Sequence, residues 1–170
     1  MNTNSEHMIL RKMIFTALMT AATVLLSPVF SFPLGVTRAF PIQHMINIFL
    51  AVLAGTKYGV SAAFLTSLIR NMAGTGSLLA FPGSMIGAFL SGYLYQRTGK
   101  LWCAVAGEFV GTSLLGGLAS YPIAALLMGS AKGATFYVSL FAVSCGAGCV
   151  IAYAVLKAIE ICQPALLHRD

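Results

Sequence analysis

Glu108 stands out among the acidic residues because it lies well inside an apolar stretch that runs from Leu101 to Met128. A carboxylate within a membrane is costly and usually faces a cavity or a partner group. We therefore expect Glu108 to contact a ligand or to carry a proton. The plainer alternative is that it pairs with a buried cation or holds its own proton.

A second polar group stands at the start of an apolar segment, where Gln43, His44 and Asn47 follow Pro41. On a helix, residues 43 and 47 share one face at a spacing of four, and residues 44 and 47 converge at a spacing of three. Such a group predicts a polar pocket beneath the outer surface of a membrane. The alternative is that these side chains meet lipid headgroups.

The third candidate region is the stretch 70–84, which is the longest break in an otherwise apolar sequence. It contains Arg70, Asn71, Thr75 and Ser77, together with a Phe-Pro pair and three glycines. Glycine lets a backbone bend tightly and approach a ligand closely. The stretch therefore predicts a binding loop, although Arg70 could instead extend its charge to the membrane interface.

Two aromatic residues complete the candidate site, because Phe81 and Tyr121 could stack on a flat ligand. Pro122 follows Tyr121, and a proline removes a helical hydrogen bond, so we expect an interruption of the helix there. A few polar groups in mostly apolar walls are typical of a small-molecule pocket. The candidate binding residues are His44, Asn47, Arg70, Asn71, Thr75, Ser77, Phe81, Glu108 and Tyr121.

The sequence predicts no catalytic residues, no metal ion and no cofactor. Of the three histidines, two lie in the tails, so a serine or metal site would lack partners. The four cysteines form no Cys-x-x-Cys pair and are interpreted as packing residues. No phosphate-binding Gly-x-x-x-x-Gly-Lys-Ser/Thr loop occurs. An enzyme is therefore not expected.

The amino-acid composition predicts the type of secondary structure that positions these residues. The 170 residues are 58% hydrophobic and 8% charged, whereas soluble domains average about 25% charged residues. The sequence thus predicts an all-α membrane protein with a single domain, residues 1–170. Since a spanning helix needs about 20 residues, we expect six transmembrane helices in one bundle. Their predicted limits are about 13–27, 41–55, 58–72, 78–95, 101–128 and 134–161.

The net charge of +6 is interpreted as an orientation signal and not as a nucleic-acid footprint. If all six helices cross the bilayer, seven of the ten Lys and Arg residues lie on the side of the termini. Cytoplasmic loops carry this excess, so we expect both termini in the cytoplasm and a multi-pass protein of the cell membrane. The second and third spans are short, and a re-entrant pair would leave the parity unchanged.

Small residues recur at a spacing of four, which lets helices in lipid approach closely. Ala17 and Ala21 form one such pair, and Gly83–Gly87 and Gly107–Gly111 form others. Most are expected to pack inside the bundle. Ala17 and Ala21 are the best candidates for contact with a partner protein, because the first span has almost no polar side chain suited to the interior.

Several motifs resemble the substrate-binding S components of energy-coupling-factor (ECF) vitamin transporters, in particular those of the ThiW type. The likeness covers residues 9–160, and its most specific part is residues 74–87. The motifs are Phe-Pro-Leu-Gly at 32–35, Phe-Pro-Ile-Gln-His-Met-Ile-Asn at 40–47, Ile-Arg-Asn at 69–71, Gly-Thr-Gly-Ser-Leu-Leu-Ala-Phe-Pro-Gly-Ser-Met-Ile-Gly at 74–87, Gly-Glu at 107–108 and Ala-Ser-Tyr-Pro at 119–122.

The resemblance implies six helices, an outward-opening pocket and no ATPase activity of the chain itself. It also implies docking to a transmembrane coupling subunit that carries two ATPase subunits, through an Ala-x-x-x-Ala pattern that Ala17 and Ala21 match. The implied substrate is hydroxyethylthiazole, the thiazole precursor of thiamine. Two alternatives stay open: an S component for another precursor, such as the thiamine pyrimidine, and a structural membrane subunit without a ligand.

Overall fold

The chain folds as a bundle of α-helices with one small hairpin. The computed structural model describes residues 3–34 and 37–163. The helices are α1 (Thr3–Val29), α2 (Pro41–Leu53), α3 (Thr56–Met72), α4 (Ala80–Thr98), α5 (Leu101–Phe109), α6 (Gly117–Leu127) and α7 (Ala134–Cys162). The hairpin pairs β1 (Phe32–Leu34) with β2 (Thr37–Ala39) in antiparallel register. The all-α prediction is confirmed, and the hairpin is an addition to it.

Three helical segments of the described chain are long and apolar enough to cross a membrane, namely Ser5–Val29, Leu101–Leu127 and Ala134–Cys162. Helix α2 has 13 residues, which corresponds to about 20 Å, whereas the hydrocarbon core is about 30 Å thick. Helices α3 and α4 have 17 and 19 residues. The apolar membrane helices are therefore present, while the six-span count and the side of the termini stay predictions.

Helix α1 differs from its sequence-based interpretation, because one of its faces carries buried hydroxyl groups. The hydroxyls of Thr16, Thr20 and Thr23 donate to the carbonyl four residues earlier, at 2.7 to 2.8 Å. Since each hydroxyl is satisfied within its own helix, these residues can face the bundle. The expectation of almost no inward polar side chain was wrong. Ala17 and Ala21 lie outside this buried face and are exposed.

The segment Leu101–Leu127 is irregular at a place that the sequence did not indicate. Pro122 lies inside α6 without ending it, so the predicted interruption at this proline is wrong. A proline is tolerated in a membrane helix where its surroundings satisfy the freed backbone group. The irregularity is instead a π-helical turn, Val110–Gly116, between α5 and α6. In a π turn the hydrogen bonds run from residue i to residue i+5.

A seam of glycines joins α4 to the segment Leu101–Leu127. A Cβ atom added at Gly116 would lie 2.5 Å from the Cα of Gly83, and one at Gly111 would lie 2.8 Å from the Cα of Gly87. Small residues allow helix backbones to approach each other this closely in lipid. Gly111 and Gly116 are five residues apart, so the π turn keeps both on the seam. The internal packing expected of these glycine pairs is confirmed.

The interior on the other side of the bundle lies between α2, α5 and α7. Its side chains include Ile48, Ala104 and Leu156, together with the free thiols of Cys145 and Cys149. The two sulfur atoms lie 3.7 Å apart on one face of α7. The packing role predicted for all four cysteines is confirmed for Cys145, Cys149 and Cys103, and it is wrong for Cys162, which is exposed.

Candidate functional site

A buried polar cluster joins α2 to α5 around the carboxylate of Glu108, which is 0% exposed. Its Oε1 accepts hydrogen bonds from Asn47 Nδ2 at 3.0 Å and from His44 Nδ1 at 3.1 Å. Thr112 Oγ1 lies 3.2 Å from Oε1 and also 3.2 Å from the carbonyl oxygen of Gly83, so these two acceptors share its single proton. Oε2 has no hydrogen-bond partner within the described residues. The hydrogen bonds on Oε1 fix the orientation of their donors, so Glu108 sets the position of His44.

The start of α2 explains why His44 and Asn47 face this carboxylate. Pro41 occupies the first turn, where its missing N–H is not needed. The preceding backbone N–H, that of Phe40, donates to Ser144 Oγ of α7 at 2.8 Å. A Cβ atom on Gly148 would lie 2.4 Å from the carbonyl oxygen of Pro41. This close contact with α7 fixes the rotation of α2 and therefore the direction of its polar face.

Arg70, at the end of α3, is only 2% exposed although it carries a charge. Its terminal nitrogens donate to Gln43 Oε1 and, at 2.9 Å, to the carbonyl oxygen of Thr75. The ring of Phe40 covers the guanidinium, with 3.9 Å between its centroid and Cζ. A cation over an aromatic face is attracted by the ring quadrupole. The guanidinium is thus held in one orientation by two hydrogen bonds and one ring.

The loop after α3 turns back onto Arg70 through its backbone. The N–H groups of Thr75 and Gly76 both donate to the carbonyl oxygen of Arg70, at 2.9 Å each. Gly74 has φ +69, a conformation that side chains disfavour. A Cβ atom on Gly76 would lie 2.9 Å from the backbone nitrogen of Asn71. The two glycines therefore permit a tight turn that brings the loop over the end of α3.

Asn71 anchors the same loop with its side-chain amide. Its Nδ2 donates to the carbonyl oxygens of Ser67 at 2.8 Å and of Ser77 at 3.0 Å. Ser67 belongs to α3 itself, whereas the bond to Ser77 joins α3 to the loop. The structure thus gives Asn71 a role in holding the loop.

These groups surround a cavity of about 90 Å³. A single water molecule needs roughly 10–15 Å³ of such space, so the cavity suits one small molecule. The apolar side is formed by Phe40, Leu79, Leu140 and Phe141. The polar side is formed by Arg38, Gln43, His44, Arg70, Ser77 and Ser144. Apolar walls with a few placed polar groups are characteristic of ligand pockets.

The structure brings most of the predicted residues to this region, in different ways. His44, Arg70 and Ser77 line the cavity, and Glu108 and Asn47 lie behind His44. Thr75 is an exposed residue, and it contributes to the site through its carbonyl oxygen, which accepts a hydrogen bond from Arg70.

The two predicted aromatic contacts lie elsewhere. Phe81 packs against Phe64, with 5.8 Å between the ring centroids, and neither belongs to the cavity lining. Tyr121 is 43% exposed on the outer face of α6. The cavity instead has Phe40 and Phe141 in its wall. The aromatic side chains nearest to a ligand therefore come from the start of α2 and from α7.

Three residues of the site escaped the sequence-based prediction although two of them had a signal. Thr112 follows Glu108 by four residues, a spacing that places both on one helix face. Ser84 ends the glycine-rich stretch and lines the cavity. Ser144 has no local signal, because its role depends on the packing of α7 against α2.

The cluster also contains a set of atoms that could bind a metal ion. One ligand atom from each of His44, Glu108 and Cys145 lies within 4.8 Å of the others. Zinc binds its ligands at about 2.0–2.3 Å, so two ligands of one ion lie at most about 4.6 Å apart. Hydrogen bonds already occupy Oε1 of Glu108, and Cys145 Sγ lies 3.6 Å from the Glu108 carbonyl oxygen. The absence of a metal stays a prediction.

The apolar helices and the cavity between them are typical of a helical membrane protein that handles a small molecule. Residues 13–161 match the family described as Thiamine-precursor transporter protein (ThiW). Since the match covers most of the chain, the protein belongs to this family. The resemblance in sequence is thereby confirmed, and the family is one of transporters and not of enzymes. No match to a curated protein was found.

Proposed function

We propose that this chain is the S component of an ECF-type importer in the cytoplasmic membrane. It captures hydroxyethylthiazole from outside the cell and delivers it with a coupling subunit and two ATPase subunits. The observation that carries this proposal is the small cavity beneath the loop of residues 73–79, in which His44 is held by Glu108. Membership of a thiamine-precursor transporter family supports the substrate class.

The chemistry of His44 suits an alcohol. Its Nδ1 donates to Glu108 Oε1, so in a neutral imidazole Nε2 is the acceptor. Within the described chain no hydrogen-bond partner of Nε2 is found, and His44 lines the cavity. The hydroxyl of hydroxyethylthiazole can donate to Nε2 while the ring lies against Phe141. In this arrangement Glu108 is a positioning residue.

The same geometry favours a thiazole over an aminopyrimidine. An aminopyrimidine would be bound best by a carboxylate that accepts two parallel hydrogen bonds. Glu108 already accepts hydrogen bonds from the protein on Oε1, and it lies behind the cavity lining. We therefore do not propose the pyrimidine precursor as the substrate, nor a subunit without a ligand. The binding experiment below distinguishes both alternatives from the proposal.

The first prediction is that the full chain, purified in detergent, binds hydroxyethylthiazole with one-to-one stoichiometry in isothermal titration calorimetry. The aminopyrimidine precursor and thiamine serve as competitors, and neither should displace the thiazole at equal concentration. Binding of the aminopyrimidine alone would keep the transporter and change the substrate. Absence of heat with all three compounds, in protein whose thermal unfolding is cooperative, would favour the ligand-free subunit.

The second prediction concerns docking to the coupling subunit through α1. Ala17 and Ala21 are exposed, and exchange of both for leucine should prevent a close helix approach. We expect uptake of labelled thiazole by cells to fall at least about tenfold while ligand affinity changes less than about twofold. Because the cavity lies at another part of the bundle, binding and coupling should separate.

A matched control for this double variant exists on α7. Ala154 and Ala158 are also exposed alanines at a spacing of four, and their exchange for leucine should leave uptake unchanged. Loss of uptake from the α7 variant alone would move the docking surface to that helix. Full uptake from the α1 variant would remove Ala17 and Ala21 from the proposal.

A further inference from the structure

Arg70 has no counter-charge in the described part of the chain. The ion pairs found there join Glu108 to His44 and Glu160 to Lys157, and neither involves Arg70. The partners of its guanidinium are a side-chain amide oxygen, a carbonyl oxygen and an aromatic ring. A charge taken out of water is costly unless it is paired. A guanidinium that is 2% exposed and faces a cavity therefore calls for an anion.

The guanidinium also retains a donor nitrogen without a partner. Its Nε is buried and has no hydrogen-bond partner within the described residues. Each terminal nitrogen carries two N–H groups and makes one hydrogen bond within the described residues, to Gln43 or to Thr75. Nε and a neighbouring terminal nitrogen form the planar fork that binds two oxygens of a carboxylate or a phosphate. Phe40 covers the face of the guanidinium, so a ligand would approach this fork.

A second cation faces the same space. Arg38 on β2 lines the cavity together with Arg70, and Arg38 itself is exposed. Like charges around one cavity repel each other, and the repulsion grows as water is excluded. A bound anion would relieve it. Among the residues that the structure describes, no acidic side chain belongs to the cavity lining, whose other polar members are Gln43, His44, Ser77, Ser84, Thr112 and Ser144.

We infer that the cavity binds an oxyanion group carried by the thiazole precursor itself, with Arg70 as its bidentate partner and Arg38 at the rim. The substrate class would then be a phosphate ester or a carboxylate of the thiazole, bound more tightly than the neutral alcohol. This inference rests on the proposed function, because it assumes that a thiazole occupies the cavity. It changes which chemical form of that thiazole is the preferred ligand.

The test compares three ligands on the detergent-purified full chain by calorimetry: hydroxyethylthiazole, its phosphate ester and a thiazole carboxylate. A charge-assisted bidentate contact should raise affinity by roughly 10- to 100-fold over the alcohol. In Arg70→Gln this advantage should disappear while the alcohol still binds. The matched control is Arg97→Gln, because Arg97 is an exposed arginine whose Cζ lies 5.3 Å from the ring centroid of Tyr93, away from the cavity.

Two further variants keep the inference testable if Arg70→Gln does not fold. Arg70→Lys keeps the positive charge and loses the fork, so it should lose most of the advantage of the ester. Arg38→Gln removes only the rim charge and should lower ester affinity severalfold more than it lowers alcohol affinity. Equal binding of alcohol, ester and carboxylate by the unchanged protein and by these variants would overturn the inference.

The failures of the two proposals can be told apart. If the alcohol binds and neither anionic form binds more tightly, the proposed function stands and the oxyanion inference falls. If none of the three ligands binds to the folded protein, the proposed function is refuted as well. Inorganic phosphate forms a further arm: if it binds Arg70 without competing with the ester, the guanidinium holds an adventitious ion only, and the inference is overturned.

Discussion

Replacement of Glu108 by alanine should abolish thiazole binding and destabilise the bundle. The change removes an acceptor shared by His44, Asn47 and Thr112. Asn47 and Thr112 keep the carbonyl oxygens of Ser84 and Gly83 as acceptors, so His44 loses the most. Hydrogen bonds between membrane helices average about 0.6 kcal/mol, and a buried donor left without a partner costs about 1–3 kcal/mol. We therefore expect the free energy of unfolding to fall by about 2–5 kcal/mol. Denaturation in a graded detergent mixture measures this quantity.

The isosteric variant Glu108→Gln separates position from charge. Its amide oxygen can still accept from the three donors, so the loss of stability should be smaller than in Glu108→Ala. Binding should weaken only if the negative charge is needed to hold the His44 tautomer. Glu160→Gln is the control, since Glu160 lies in a partly exposed pair with Lys157, and it should leave binding unchanged. Unchanged affinity in a folded Glu108→Ala protein would remove Glu108 from the site.

Exchange of Gly116 for alanine should have the second largest effect. The added Cβ would lie 2.5 Å from the Cα of Gly83, whereas carbon atoms pack at about 3.5–4.0 Å. Both atoms belong to helix backbones, so no side chain can move aside and the helices must separate. Overpacking of this kind costs about 1–3 kcal/mol. The same separation would shift α4, whose residues Gly83 and Ser84 line the cavity.

Thermal unfolding with and without thiazole measures both consequences, and we expect a lower midpoint together with weaker ligand stabilisation. Gly133→Ala is the matched control, because nothing lies within 4 Å of a Cβ added there. A Gly116→Ala protein as stable as the Gly133→Ala protein would contradict the close contact between α4 and the π turn. Gly107→Ala should behave like Gly116→Ala, since its Cβ would lie 2.7 Å from the carbonyl oxygen of Leu90.

Local sequence predicted the parts of the site that depend on spacing along one helix. Gln43, His44 and Asn47 were expected to share the start of a helix, and all three are buried there. The break after Arg70 was expected to be a loop, and its glycines have the geometry that only glycine tolerates. These features depend on backbone conformation within a few residues.

The remaining parts depend on which helix faces meet, and this information is not local. Tyr121 and Phe141 are both aromatic residues in apolar segments, yet only Phe141 borders the cavity. The choice is made by the packing of α6 and α7. Similarly, nothing in the local sequence distinguishes Ser144 from other serines. Its role arises because the start of α2 packs beside it. Proline was a misleading signal in the segment Leu101–Leu127, because the chain changes its hydrogen-bond pattern six residues or more before Pro122.

The π turn has a consequence for how this chain is compared with others. An unbroken α-helix that kept the glycine seam would be one residue shorter between Gly111 and Gly116, so the turn is geometrically equivalent to one extra residue. A residue-by-residue alignment with a relative that lacks the extra residue must open a gap there. Without the gap, every position from Gly117 onward would be paired with a neighbour rotated by about 100° around the helix. Small residues on one face of the helix beyond the turn would then be compared with residues on another face.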